Sequence, residues 1–252
     1  MMIFEELSMN SVYTTQYEVT ALHADCFGRC KPSSILRFAQ DAAGEHCVQL
    51  GTDWDSMAKH NYFWAVIRQR LEITRLPKTG ETVTVKTWPM PTTRVAYPRA
   101  TEGFDAEGNS LFKVISLWVI MDMDSRAMIL PGKSGIDVSG TVFGTELKAP
   151  AGLPAGDYSE NCLRTVSFSD LDVNRHMNNA RYLDWLCDLK SARFHESHPL
   201  KAVTICYMSE ALEGQNIRLC WTGEDILLVD GSVPNTAVSS GHTRIFSAQL
   251  EF

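Results

Sequence analysis

One pattern of strand, turn and helix occurs twice in this chain, and it limits the possible folds more than any other feature. The first copy is YEVTALHADCFGRCKPSSILRFAQDAAGEH. Tyr17 to Leu22 is strand-like, Gly28 to Ser34 is turn-rich, and Pro32 suits the first turn of a helix. Ile35, Leu36, Phe38, Ala39 and Ala42 then form one apolar helical face. In the second copy LRTVSFSDLD is strand-like, and Tyr182, Leu183, Trp185, Leu186 and Leu189 repeat the helical spacing. Laying RYLDWLCDL over SILRFAQDA brings Asp172 onto Asp25.

The downstream segments correspond as well. FWAVIRQRLEITRLPKTGETVTVKTW reads as a long strand, a turn at Pro77–Gly80 and a second strand. AVTICYMSEALEGQNIRLCW repeats this order, with its turn at Gly214 and a strand ending in Trp221. Both halves close with further strands: RVAYPRATEGFDAEGNSLFKVISLWVIMD in the first, and DILLVDGS, TAVSSG and TRIFSAQLEF in the second. Asp105–Gly108 and Gly241–His242 read as hairpin turns. A helix followed by an antiparallel meander, done twice, is an α+β pattern in which each sheet wraps its helix. The expected organisation is one unit over residues 1–130, a Gly-, Pro- and Ser-rich linker over 131–154, and a second unit over 155–252.

The chain's 252 residues are ample for such cores. A net charge of -7 argues against general nucleic-acid binding. No apolar run reaches the length of a membrane span, and the N-terminal stretch does not read as a secretory signal. Seven cysteines at irregular spacing, none in C-x-x-C, suit reduced thiols and a cytoplasmic location. His23, Cys26, Cys30, His46 and Cys47 match no zinc spacing, so no metal is expected.

The residues with the most chemistry lie in SDLDVNRHMNNARYLDW. If Asp172 to His176 is extended, Asp172, Asn174 and His176 point the same way. Asn178 or Asn179 can cap the helix that follows. A helix start with amide donors nearby favours negative charge, as on an oxyanion that forms during a reaction. An imidazole or a poised carboxylate can take a proton from water. Taken singly, each residue also fits a turn or a cap; together they point to a site.

The D-x-N-x-H-x-N-N-x-x-Y run, placed in a duplicated helix-and-sheet chain, resembles the acyl-acyl carrier protein thioesterases of plant plastids and bacteria. The resemblance implies two tandem hotdog units, each a long helix wrapped by an antiparallel sheet. It implies an enzyme that hydrolyses the fatty acyl thioester on carrier-bound phosphopantetheine, without metal or organic cofactor. It also supplies a fourth residue, Glu210, on the strand TICYMSEALEG. Asn174 would then orient the thioester oxygen or the water, and His176 with Glu210 would activate the water. Asp172 would orient that pair or attack the carbonyl itself. Many plant relatives carry Cys after the Glu; here the residue is Ala211, which excludes a Cys–His mechanism through that position.

In the first half Phe27 stands for Asn174, Arg29 for His176 and Leu76 for Glu210. One site per chain follows, and the first half is left to hold the acyl chain. Ile35, Phe38, Ala39 and Ala42 are candidate wall residues, though ordinary helix-to-sheet packing explains them equally. Acyl carrier protein is the expected partner, met by a basic surface for which Arg68, Arg70, Arg75, Lys78 and Lys86 are candidates. A homodimer is compatible with the sequence. The rival readings are an acyl-coenzyme A thioesterase of the hotdog fold and a binding protein that holds acyl groups without cleaving them.

Overall fold

Pro32 opens a helix because its fixed φ suits the first turn and its missing N–H is not needed there. In the computed structural model that helix, α1, runs Pro32–Leu50. It ends at Gly51, whose left-handed φ of 66 lets its N–H close on Cys47 O and Val48 O. The structure describes residues 11–138, 140, 141, 143, 144, 148–154, 156–234 and 242–252. They fall into two compact units, Met1–Pro150 and Ala151–Phe252.

The first unit holds β1 (Tyr13–Glu18), α1, α2 (Trp54–Ala58), β2 (Tyr62–Ile73), β3 (Thr82–Pro89), β4 (Tyr97–Phe104), β5 (Ser110–Asp122), β6 (Met128–Ile129) and α3 (Pro131–Ser134). Its antiparallel sheet has the order β1-β3-β4-β5-β2, and β6 pairs with β5. Two expectations are corrected here. The first strand lies four residues earlier than the apolar pattern suggested, because His23 Nδ1 accepts from Thr20 N and ties the following residues into a turn. The strands also do not form a simple meander. The β2–β3 connection is pinned to the loop before α1, with Cys30 N donating to Pro77 O at 2.7 Å, and β2 lies beyond β5.

The second unit holds β7 (Glu160–Thr165), a 3-10 turn (Phe168–Asp170), α4 (Asn179–Cys187), α5 (Ala192–Ser197), β8 (Ala202–Tyr207), β9 (Asn216–Thr222), β10 (Ile226–Pro234) and β11 (His242–Glu251). Its order, β7-β9-β10-β11-β8, repeats that of the first unit strand for strand. The helix differs: α4 has 9 residues where α1 has 19. Ser191 starts a new helix soon afterwards, its side chain accepting from Phe194 N. The expected strand TAVSSG and the turn at Gly241 lie outside the described residues.

Both sheets share one packing device. Gly103 faces Phe112 across β4 and β5, and Gly231 faces Phe246 across β10 and β11. A Cβ at either glycine would sit 2.2 or 2.1 Å from the ring. Each aromatic ring therefore fills the space that a side chain on the glycine would need, and each pair marks a register shift in its sheet. The segment after α3 packs on the first unit. Ile136 and Val138 join Met57, Tyr97 and Ile120, and Phe143 meets Trp88 edge-on.

Candidate active site

The run Asp172–His176 is a closed turn and not an extended strand. Asp172 N donates to His176 O at 2.8 Å and Arg175 N to Asp172 O at 3.0 Å, while Arg175 takes a left-handed φ of 62. The acid holds this turn from inside: Asp172 Oδ1 accepts from Asn174 N at 2.8 Å and from His176 N at 3.4 Å. Every-second-residue spacing thus arises because a short acid reaches N–H groups two and four residues on, and not from a pleat. The turn closes where Asn178 N donates to Asp170 O at 2.8 Å. Asn178 then caps α4, its side chain accepting from Ala180 N at 2.9 Å.

A second segment is laid against this loop. Met177 N donates to Ala211 O at 2.9 Å, and His176 and Leu212 form a bridge. Glu210 is thereby brought to His176, with Oε2 3.3 Å from Nε2. The glutamate lies past the end of β8, because Met208 N and Ser209 N both turn to Ile245 O and end the ladder. Its side chain is 44% exposed and that of His176 19%, so the pair stands at the surface with the imidazole more enclosed. Asn174 Oδ1 is buried with no hydrogen-bond partner among the described residues. A buried amide left unsatisfied is costly unless a ligand or water completes it. Below the loop lies the buried Tyr182, whose hydroxyl is pushed up first by burial and then by the charges of Asp172 and Glu210. It stays protonated beside them.

The structure therefore brings Asp172, Asn174, His176 and Glu210 together. Sequence reasoning missed Asp170 and Arg181. Asp170 Oδ1 accepts from Arg181 Nε at 3.0 Å and Nη2 at 2.9 Å, almost fully buried. The only signal was the acid's place in the alternating run.

The first unit repeats the loop bond for bond. Asp25 N donates to Arg29 O, Gly28 N to Asp25 O, Lys31 N to His23 O, and Cys30 N to Pro77 O. Asp25 Oδ1 accepts from Phe27 N at 2.9 Å and Arg29 N at 3.0 Å, as Asp172 does from Asn174 and His176. The chemistry is absent. Arg29 Nε takes the other oxygen of Asp25 at 3.1 Å, and its guanidinium lies 4.7 Å from the Phe27 ring centre. The same bonds put Leu76 at the place of Glu210.

Ile35, Phe38, Ala39 and Ala42 all lie on the buried face of α1, and Phe38 stacks on Tyr17 with ring centres 4.6 Å apart. Of the basic candidates, Arg70 pairs with Glu72, Arg75 with Glu81, and Lys86 lies over Phe104. Arg68 donates to Pro150 O. Lys78 contributes the bridge to Arg29. Ala211 is buried beside Glu210, and burial pushes the thiol of Cys187 up to about 12. Among the described residues no group of three or more His, Cys, Asp or Glu is placed to hold a metal ion. None of the described helices is long and apolar enough to cross a membrane.

Residues 10–130 match the acyl-ACP thioesterase N-terminal domain, and residues 156–247 match the acyl-ACP thioesterase C-terminal domain. The chain is 25% identical over 214 residues to the chloroplastic palmitoyl-acyl carrier protein thioesterase of Gossypium hirsutum, covering 79% of this chain and 52% of that one. It is 29% identical over 194 residues to the chloroplastic dodecanoyl-[acyl-carrier-protein] hydrolase of Cinnamomum camphora, covering 70% and 50%. The chain thus spans about half the length of these curated relatives. The crystal structure of an acyl-ACP thioesterase from Bacteroides thetaiotaomicron superposes with a TM-score of 0.86 at 20% identity, covering 97% of this chain and 98% of that one. The 12:0-ACP thioesterase of Umbellularia californica gives 0.77 at 23% identity, covering 95% and 96%. At such identities these two likenesses speak for the fold.

Proposed function

Because this chain belongs to the acyl-ACP thioesterase family, we propose that it hydrolyses the fatty acyl thioester carried on acyl carrier protein. The products are the free fatty acid and the carrier with its thiol restored. The observation that carries this reading is the 3.3 Å approach of His176 Nε2 to Glu210 Oε2, on a loop that ends at the start of α4.

Water is a weak nucleophile at neutral pH and needs a base in reach. The His176–Glu210 pair takes its proton as the water oxygen bonds to the thioester carbonyl carbon. Negative charge then gathers on the carbonyl oxygen. The Asn174 amide, turned to present its NH2, and the positive end of α4 favour that charge. Collapse breaks the carbon–sulfur bond, and the proton held by the pair passes to the leaving thiolate. Asp172 takes the orienting role. Its Oδ1 is occupied by two backbone N–H groups, and Asp25 makes the same two bonds in a loop that lacks the other site residues. The bonds that the two acids share support a shape-holding role at this position.

The acyl chain is assigned to the first unit, with Ile35, Phe38, Ala39 and Ala42 as wall candidates. The seven unpaired cysteines suit a reducing compartment, the cytoplasm in this proposal. The test is thiol release by the purified protein from acyl-carrier substrates of eight to eighteen carbons, beside the matching acyl-coenzyme A esters. The expected result is turnover on the carrier series, faster than on coenzyme A at equal concentration. Preference for the coenzyme A esters would move the reading to that thiol, and no thiol release from either series would end it.

A further inference from the structure

The loop that carries His176 is tied to its helix by an ion pair with no counterpart among the described residues of the first unit, and we propose that Asp170 and Arg181 are positioning residues for the hydrolytic site. The inference rests on the hydrolase reading above.

The two loops share a frame, so the difference can be isolated. In the second unit Asp170 ends the 3-10 turn, and its Oδ2 accepts from Ser167 N at 3.0 Å. In the first unit the same place is held by His23, whose Nδ1 accepts from Thr20 N at 3.2 Å. The turn therefore needs one acceptor, and an imidazole nitrogen suffices. The backbone closure is also common: Asp170 O accepts from Asn178 N and His23 O from Lys31 N, both at 2.8 Å.

What Asp170 adds is a second oxygen. Its Oδ1 takes Arg181 Nε and Nη2, and Arg181 Nη1 goes on to Asp184 at 2.7 Å within α4. At the place of Arg181 the first unit has Ser34, whose hydroxyl donates to His23 O at 3.1 Å. One loop is held to its helix by a neutral bond and the other by a charge-assisted clasp. The Asp170 side chain is 5% exposed and that of Arg181 32%, so forming the clasp costs desolvation that the neutral bond does not. The shape of the loop does not require it, since the first unit reaches the same bonds without it. The clasp is present where His176 must stay within reach of Glu210, and small misplacements at such a site are expensive in rate. Neither residue touches the reacting atoms.

The decisive variant transplants the first unit's solution as Asp170→His with Arg181→Ser. The full-length protein should fold with a Tm within about 5 °C of the parent. Its KM should stay within about twofold while kcat falls by about tenfold or more. Arg181→Lys, which keeps the charge but not the fork, should give an intermediate kcat. A folded transplant with the parent's kcat overturns the proposal. If the transplant does not fold, Arg181→Gln and Arg181→Lys decide, and kcat equal to the parent in both overturns it. Failure of the parent to release thiol sinks the hydrolase reading and this inference with it. An active parent with an equally active transplant sinks this inference alone.

Discussion

At Gly28 and Arg175 the chain makes the same left-handed turn, with φ of 71 and 62, inside loops whose backbone hydrogen bonds match one for one. In the first unit glycine takes this conformation freely. In the second an arginine takes it, at a cost of about 1 kcal/mol. Around the first turn Arg29 fills its own loop by pairing with Asp25 and lying over Phe27. Around the second, His176 faces Glu210, and Asn174 keeps a buried oxygen with no partner among the described residues. One backbone carries a guanidinium folded back on its own acid in one place, and the proposed site residues in the other. The comparison separates the bonds that both loops share from the side chains that differ between them.

The strongest way to break this comparison is to remove the added groups. His176→Ala and Glu210→Gln should each lower kcat by about 10²-fold or more while the protein remains folded. A rate near the parent's for either variant removes that residue from the mechanism. Arg29→Ala and Leu76→Ala, at the matched places of the first unit, should leave kcat within about threefold.

Much of this division was legible in the sequence, because the strand–turn–helix pattern and the pair Asp25 and Asp172 survive divergence. The loop's inner geometry was not legible. Alternation of Asp172, Asn174 and His176 imitates a strand, and only the hydrogen bonds of Asp172 Oδ1 reveal a turn. Register was equally hidden. Counted from the Gly–Phe pairs, the row Gln69, Ser116 and Arg99 in the first unit matches Val203, Leu250 and Leu227 in the second. All six are buried. Arg99 lies there within hydrogen-bond reach of His46, Thr87 and Cys47, and burial lowers its pKa. Cross-strand rows of this kind join residues far apart in the chain, so no local pattern announces them.

The shared frame can be tested where the units are alike. Gly103→Ala and Gly231→Ala should both destabilise, each by about 1–3 kcal/mol, since the added Cβ meets the ring of Phe112 or Phe246. Denaturant midpoints measure this, and a loss at one site without the other would weaken the claim that the sheets share one packing device. A smaller effect is expected at Asp25. Asp25→Ala removes the acceptor for two N–H groups and should cost about 1–2 kcal/mol with kcat unchanged.

The least effect is expected at the thiols. Burial holds Cys30 and Cys187 at about 12, against a usual 9.0. They should resist alkylation at neutral pH in the native state, while exposed Cys26 reacts with activity retained. Substrate-protected inactivation mapped to one cysteine would contradict this. Because the unfolded chain ionises these thiols first, their contribution to stability is full below pH 9 and declines as pH rises toward about 12.

The central claim is that the acid of the loop serves its shape while His176 and Glu210 serve the reaction. Asp172→Asn tests it most directly, since an amide oxygen can still accept from Asn174 N and His176 N but cannot act as a nucleophile. The measurement is steady-state thiol release from an acyl-carrier substrate by Asp172→Asn beside Glu210→Gln. The account predicts that Asp172→Asn keeps about a tenth of the parent's kcat or more while Glu210→Gln falls by about 10²-fold. Loss in Asp172→Asn as deep as in Glu210→Gln, with the fold intact, would contradict it and return Asp172 to the role of nucleophile.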